Sequence, residues 1–270
     1  MFMGSQIHST AIVSPESNLG NQCKVGAYAI VEDGVTMGEK CDIEAHAVIK
    51  KGTVLGNDVR VGHFSVLGGD PQHLKFDRSI DSIVKVSNDV RIGEGVTIHR
   101  SMYANGVTKI GARCFLMGHC HVGHDGELGD EVILANGALL GGHVSVGDFT
   151  FIGGGAGIHQ FIRIGAGAMI GGLAEVSRDV PPHVTVAGRN QSCGLNLTGI
   201  KRRKISEEET KALKYAYRQV LMKGGNPTEI ATNCITEQII KVSPKAKEFV
   251  EFFLTESRGF IRSRSLLVKS

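Results

Sequence analysis

Stepping by six from Ile7, the chain places an aliphatic residue at every stop: Val13, Leu19, Val25, Val31, Met37, Ile43, Ile49, Leu55, Val61 and Leu67. The phase slips across residues 68–85 and resumes at Val86, Ile92 and Ile98. It slips again over residues 99–109, then runs unbroken in sixes from Ile110 to Val176. Gly often follows the aliphatic residue (Gly20, Gly26, Gly56, Gly123, Gly147). Small residues recur four positions after it (Ala29, Cys41, Ala47, Cys114, Cys120, Ala138). Neither a helical period of 3.6 nor a strand period of 2 fits this register. A coil of three short flat faces does: each aliphatic residue enters a narrow interior, the small residue fills what space remains, and Gly serves the corners. Three hexads make one 18-residue coil, and successive coils pair as parallel strands. The predicted fold class is mainly β, a parallel β-helix of hexapeptide repeats, over residues 1–190. The two slips, 68–85 and 99–109, read as loop excursions of the kind that line sites on rigid scaffolds.

After Pro181-Pro182 the hexads stop, and residues 191–270 read as a helical domain. Ser206-Glu-Glu-Glu209 is a capping box. Ala212, Leu213, Ala216, Tyr217, Val220 and Leu221 then form a helical stripe closed by Gly224-Gly225. Ser243-Pro244 opens a further helix with apolar Phe249, Val250, Phe253 and Leu254. A helix around residues 228–240 lies between them.

Composition sharpens the picture at three points. The 36 Gly and absence of Trp suit a tightly wound solenoid rather than an aromatic-centred core. Charge is unevenly spread: residues 1–199 carry 15 basic and 19 acidic side chains, residues 200–270 carry 15 and 8. The basic tail suits an acidic partner or a phosphorylated ligand, or is simply a solvated helical surface. No long apolar run indicates a membrane span and no export signal is visible at the N-terminus, so a cytoplasmic location is expected, with the six Cys as reduced thiols. Cys23, Cys41, Cys114 and Cys120 sit at small inward positions, where they fill space.

The densest chemistry is Gly118-His-Cys-His-Val-Gly-His-Asp125. Steps of 18 put His124, Gly142 and Gln160 in one outer column and Asp125 with His143 in the next. A His beside a carboxylate and next to an exposed glycine amide is an acyl-transfer arrangement: base, orienting partner and oxyanion donor. No Ser or Cys nucleophile is placed for a covalent step, so direct attack on a thioester is the simpler route. Others of the 11 His, with His8, His46 and His183 as candidates, are expected merely to stack along the solenoid. A metal reading remains beside this: His119-x4-His124 resembles part of the site of γ-class carbonic anhydrases, with His63 as an imagined third ligand. A non-enzymatic scaffold is the third reading, since repeats alone never prove catalysis.

The chain resembles the acyl-carrier-protein-dependent UDP-N-acetylglucosamine O-acyltransferases of lipid A biosynthesis, hexapeptide-repeat enzymes. The motifs that carry this are Pro71-Gln-His-Leu-Lys-Phe76, Val96-Thr-Ile-His-Arg100, His121-Val-Gly-His-Asp125, Leu134-Ala-Asn136, Gly142-His-Val-Ser-Val146, His159-Gln-Phe161, Asp179-Val-Pro-Pro182 and Gly199-Ile-Lys-Arg-Arg203. The resemblance implies a left-handed coil, a homotrimer with sites between subunits, and no cofactor or metal. It implies His124 as general base on the sugar 3-hydroxyl, Asp125 as its orienting partner and the Gly142 amide as oxyanion donor. Gln72, His73, Lys75, His121, His143, His159 and Gln160 would line the nucleotide-sugar site, with Asn196, Arg202 and Arg203 on the uridine and pyrophosphate. Gly172 falls where the family sets acyl length, and its missing side chain implies a long 3-hydroxyacyl chain. The implied partners are an acyl carrier protein bearing that chain and UDP-N-acetylglucosamine, with no nucleic acid. The chain departs from the family at His73, where Asp is usual, at Thr198, where Glu is frequent, and by one missing residue near 189–195. A 3-amino UDP-sugar acceptor, giving an amide, is therefore an alternative. The sister N-acyltransferase of the same pathway carries a separate N-terminal domain, for which a repeat beginning at Ile7 leaves no room.

Overall fold

The computed structural model describes residues 4–255 and 258–263; residues 1–3, 256–257 and 264–270 of the expected domains lie outside the description. Strands of mostly two residues succeed one another on three faces. Face A begins with Gln6–Ile7, face B with Ile12–Val13 and face C with Asn18–Leu19. The chain then returns to face A at Lys24–Val25, paired in parallel so that Gln6 meets Lys24 and Ile7 meets Val25. The three sheets reach 12, 9 and 8 strands, and the molecule is a left-handed parallel β-helix with a C-terminal helical region.

The sequence explains why the chain coils this way. The second residue of each strand points inward, and Val25, Val31, Met37, Ile43 and Ile49 are all at most 2% exposed. Each such side chain contributes roughly 1.5–3 kcal/mol before entropy is subtracted. Cys23, Cys41, Cys114 and Cys120 are buried beside them. Burial drives the Cys41 thiol up to about 12 and those of Cys114 and Cys120 up to about 11, so they pack and do not react.

Each corner is a two-residue turn whose second residue takes φ near +60°, as at Lys40, His46, Asp125 and His143. At several of these positions the N–H donates to the turn one coil below. Lys40 N bonds Asn21 O and His143 N bonds His124 O, both at 2.9 Å. Residues at this position stack up each edge: Tyr28, His46 and Phe64 form a ladder with ring centroids 5.2 and 4.9 Å apart. His46 thus stacks as expected. His183 does not: it is fully buried and accepts from Arg203 at its Nδ1, 3.0 Å away.

Both excursions leave from the corner between faces B and C. Arg60 pairs with Arg91 and Arg91 with Phe115, steps of 31 and 24 residues instead of 18. The loops are shorter than the slips in the hexads suggested. Strands Val66–Gly69, Ile83–Val86 and Val107–Ile110 absorb part of each slip, leaving 70–82 and 100–106 as loop.

The sheet of face A continues past residue 190. Val184–Ala187 and Gln191–Leu195 form an antiparallel hairpin on face A, and Arg262–Ser263 returns as its last strand. Helix α1 spans Leu197–Arg202, capped by Asn196; α2 spans Glu207–Tyr217, capped by Ser206 through Glu209 N. A π-helical turn, Arg218–Met222, extends α2 towards Gly224. The predicted helix near 228–240 is two, α3 Pro227–Cys234 and α4 Gln238–Lys241; α5 is Pro244–Glu251 on the Ser243 cap. The motif residue Asp179 ties this region down: 1% exposed, it bonds Arg163 N at 2.9 Å and Nε at 2.8 Å. Its carbonyl accepts from Ile261 N.

Candidate active site

Val122 points into the core, which turns His121 outward on face B and sets His124-Asp125 in the following turn. His124 Nδ1 lies 2.8 Å from Asp125 Oδ2, the two side chains being 10% and 12% exposed. One coil on, Gly142 lies directly against the His124 ring. A Cβ there would stand 2.6 Å from both Cε1 and Nε2, so the ring occupies the space of the missing side chain. The Gly142 N–H has no hydrogen-bond partner among the described residues. His143 crosses the His124 ring at 89°, centroids 5.0 Å apart, and stacks on Phe161 at 4.3 Å. Its Nε2 is 3.9 Å from Asp125 Oδ2.

Asp125 is held from several sides. Its Oδ1 accepts from Ser101 Oγ, its Oδ2 from Met102 N at 3.1 Å, and its own N–H donates to Thr108 Oγ1 at 2.8 Å. Burial alone would raise its pKa. The bonds from Ser101, His124 and Met102, with His143 nearby, outweigh burial and hold it below the ordinary carboxylate value. Burial lowers His143 despite the opposing pull of Asp125. Burial, then His124, lowers His121, whose Nδ1 is 2.8 Å from Thr97 Oγ1. His99, edge-on to His121 at 4.8 Å, is lowered to about 4, chiefly by burial. His99, His121 and His143 are thus kept neutral near an ionised carboxylate.

Comparison with known proteins decides what this arrangement belongs to. Residues 179–261 match the family model for UDP-N-acetylglucosamine O-acyltransferase, domain 2, and residues 16–51 match the bacterial transferase hexapeptide model. The structure is similar to the UDP-N-acetylglucosamine acyltransferase of Campylobacter jejuni, at 34% identity over 96% of this chain and 100% of that one, TM-score 0.86. The enzyme of Francisella novicida matches at 30% over 96% and 94%, TM-score 0.90, and that of Arabidopsis at 31% over 95% and 100%, TM-score 0.84. The chain belongs to the UDP-N-acetylglucosamine acyltransferase family.

Within that family frame, the remaining expected residues fall at four places. Gln72 shares a groove of about 650 Å³ on face B with Thr97, His121, Leu139, Gly157 and His159. His73 and Lys75 project to solvent from the same loop, joined to each other by Lys75 N on His73 Nδ1 at 3.2 Å. Gln160 is exposed above Gly142, while Gly172 lies at the A/B corner, where a Cβ would meet Gly154 O at an unstrained 3.4 Å. Asn196, Arg202 and Arg203 lie in and just after α1, near the C/A corner. There Asn196 caps α1 and donates to Gly167 O at 3.0 Å. Arg203 donates to Gly199 O and His183 Nδ1 over the Phe149 ring, and Arg202 alone is exposed. One chain therefore does not gather Asn196 and Arg203 with His124.

The three-His metal reading fares no better. His63 and His119 sit on the A/B edge, His63 paired with Glu44 at 3.2 Å, while His124 is on the B/C edge. Among the described residues only His124, Asp125 and His143 bring three metal-type donor atoms within 4.8 Å of one another. The sequence reading missed Ser101, Met102 and Thr108. Their only signal was their place in the second excursion, because no 18-residue step leads from them to Asp125.

Proposed function

We propose that the enzyme transfers a 3-hydroxyacyl chain from acyl carrier protein to the 3-hydroxyl of UDP-N-acetylglucosamine, the first step of lipid A biosynthesis, with His124 as general base. The observation that carries this is the His124 ring fixed between Asp125 Oδ2 at Nδ1 and the partnerless Gly142 amide. The ionised carboxylate accepts, so Nδ1 bears the proton and Nε2 keeps its lone pair. Nε2 takes the hydroxyl proton as the sugar oxygen attacks the thioester carbonyl. Asp125 stabilises the imidazolium, and the Gly142 N–H holds the oxyanion. Collapse breaks the C–S bond, and His124 returns its proton to the departing thiolate. No covalent enzyme intermediate forms.

Gln72, His73, Lys75, His121, His143, His159 and Gln160 line the sugar site in this reading. Asn196, Arg202 and Arg203 meet the uridine and pyrophosphate. Because they stand at another corner of the same chain, a second copy must supply them, consistent with a homotrimer. The basic residues beyond 200 face the acidic carrier protein. Gly172 leaves room for a long acyl chain. No helix among the described residues is long and apolar enough to cross a membrane, and the reaction is assigned to the cytoplasm.

His124→Ala should lower turnover by at least about 10²-fold, the lower range for general-base catalysis, with assembly unchanged. Near-wild-type turnover would remove the general-base reading. The assay runs UDP-N-acetylglucosamine beside its 3-amino analogue with donors of several chain lengths. Exclusive use of the amine would replace ester by amide formation.

A further inference from the structure

We propose that Ser101 is a positioning residue of the transfer reaction, fixing the Asp125 carboxylate so that one oxygen is committed to His124. This rests on the general-base reading given above. Ser101 is fully buried on the second excursion. Tyr103 N donates to its Oγ at 3.0 Å, occupying a lone pair, while Oγ in turn contacts Asp125 Oδ1. An ionised carboxylate has no proton to give, so the serine hydroxyl donates. Oδ1 is thereby taken up, and Oδ2 is left facing His124 Nδ1 at 2.8 Å with Met102 N at 3.1 Å. A carboxylate held at only one oxygen rotates about its terminal bond; one held at both does not.

The backbone that carries the hydroxyl is held from behind. Ser82 Oγ donates to Ser101 O at 2.6 Å, joining the second excursion to the end of the first. Gly106 passes so close to Ser101 that a Cβ there would lie 2.0 Å from Oγ, which fixes the serine side chain from its other side. Next along the chain, Arg100 donates to Asp70 Oδ1 at 3.1 Å and Arg78 O at 3.1 Å, contacts Ile80 O, and lies 4.9 Å from the centre of the Phe76 ring. Adjacent residues thus grip two things: Arg100 the loop carrying Gln72, His73 and Lys75, and Ser101 the partner of His124. With no solvent exposure at Ser101, water has no path to replace its hydroxyl.

The test is a double-mutant cycle. Ser101→Ala should lower kcat by about 10–100-fold, the effect of one hydrogen bond to a charged group converted to rate. KM for the nucleotide sugar should change by less than about twofold, since the hydroxyl does not touch it. In the Asp125→Ala background the same substitution should cost less than about twofold, because its target is gone. A full multiplicative loss in that background, or a wild-type kcat in the single variant, overturns the proposal. If the alanine variant does not fold by thermal melting, Ser101→Cys, similar in shape and a weaker donor, is run through the same cycle with the same criteria. His124→Ala is measured alongside: turnover surviving there sinks the general-base reading itself, whereas an independent Ser101 effect sinks only the positioning role.

Discussion

Gly142→Ala should silence the enzyme while leaving its fold standing. The added Cβ would lie 2.6 Å from Cε1 and Nε2 of His124 and 3.1 Å from Cδ2. Carbon contacts are comfortable at about 3.5–4.0 Å, so the ring must retreat by about 1 Å. Its retreat is restricted, because Nδ1 is bound to Asp125 at 2.8 Å and the His143 ring crosses it at 5.0 Å. A displacement of about 1 Å in a reacting group costs about 10²-fold in rate, or about 2.7 kcal/mol in barrier. The fold suffers less. Gly142 is not among the glycines with positive φ, so alanine adopts its backbone without strain. Overpacking costs about 1–3 kcal/mol, against which the smaller unfolded-state entropy returns about 0.4–1 kcal/mol. Tm should therefore fall by no more than about 10 °C. Initial rates with the thioester donor and UDP-N-acetylglucosamine, with a thermal melt on the same sample, check both halves. Turnover within about threefold of wild type would falsify the claim that the ring's position beside Gly142 matters for catalysis.

Asp179→Ala should lower stability by about 3 kcal/mol, since Arg163 loses its carboxylate at a buried site; an unchanged urea midpoint would rule this out. Limited proteolysis should then release the C-terminal region first, because Arg163, which that carboxylate positions, also reaches Thr255 Oγ1 and Phe252 O. Stability should fall as pH drops below about 6.5, the ordinary histidine value. Burial lowers His99 to about 4 and His183 to about 3, so unfolded chains take up these protons first. Their stabilisation is complete above the unfolded value and is lost down to the folded ones, on the order of 3 kcal/mol for His99. Urea midpoints constant between pH 7 and about 4.5 would show that neither histidine is buried neutral.

The interior of the β-helix was legible because one residue in six has a single environment. Val25, Ile43 and Ile49 face only the narrow interior, which other repeat positions fill, so periodicity carries the constraint. The same spacing placed His124 against Gly142 and Asp125 against His143. The Ser206 and Ser243 caps were equally visible, because a cap is made by neighbours in sequence. Less visible was α1: Leu197–Arg202 is short, and its residues read as ligand contacts before they read as a helix.

By itself, then, the sequence determined the three-faced coil, the two breaks in it, the helical region that follows, and the column holding His124 and Gly142. All of these depend on fixed separations along the chain. Only the tertiary structure decided that Arg100 and Ser101 join the two excursions to Asp125, that Asp179 anchors the C-terminal region through Arg163, and that Arg203 lies at a different corner from His124. Those contacts run between irregular loops and packed helices, where partners meet by shape and charge with no repeat to set the distance between them.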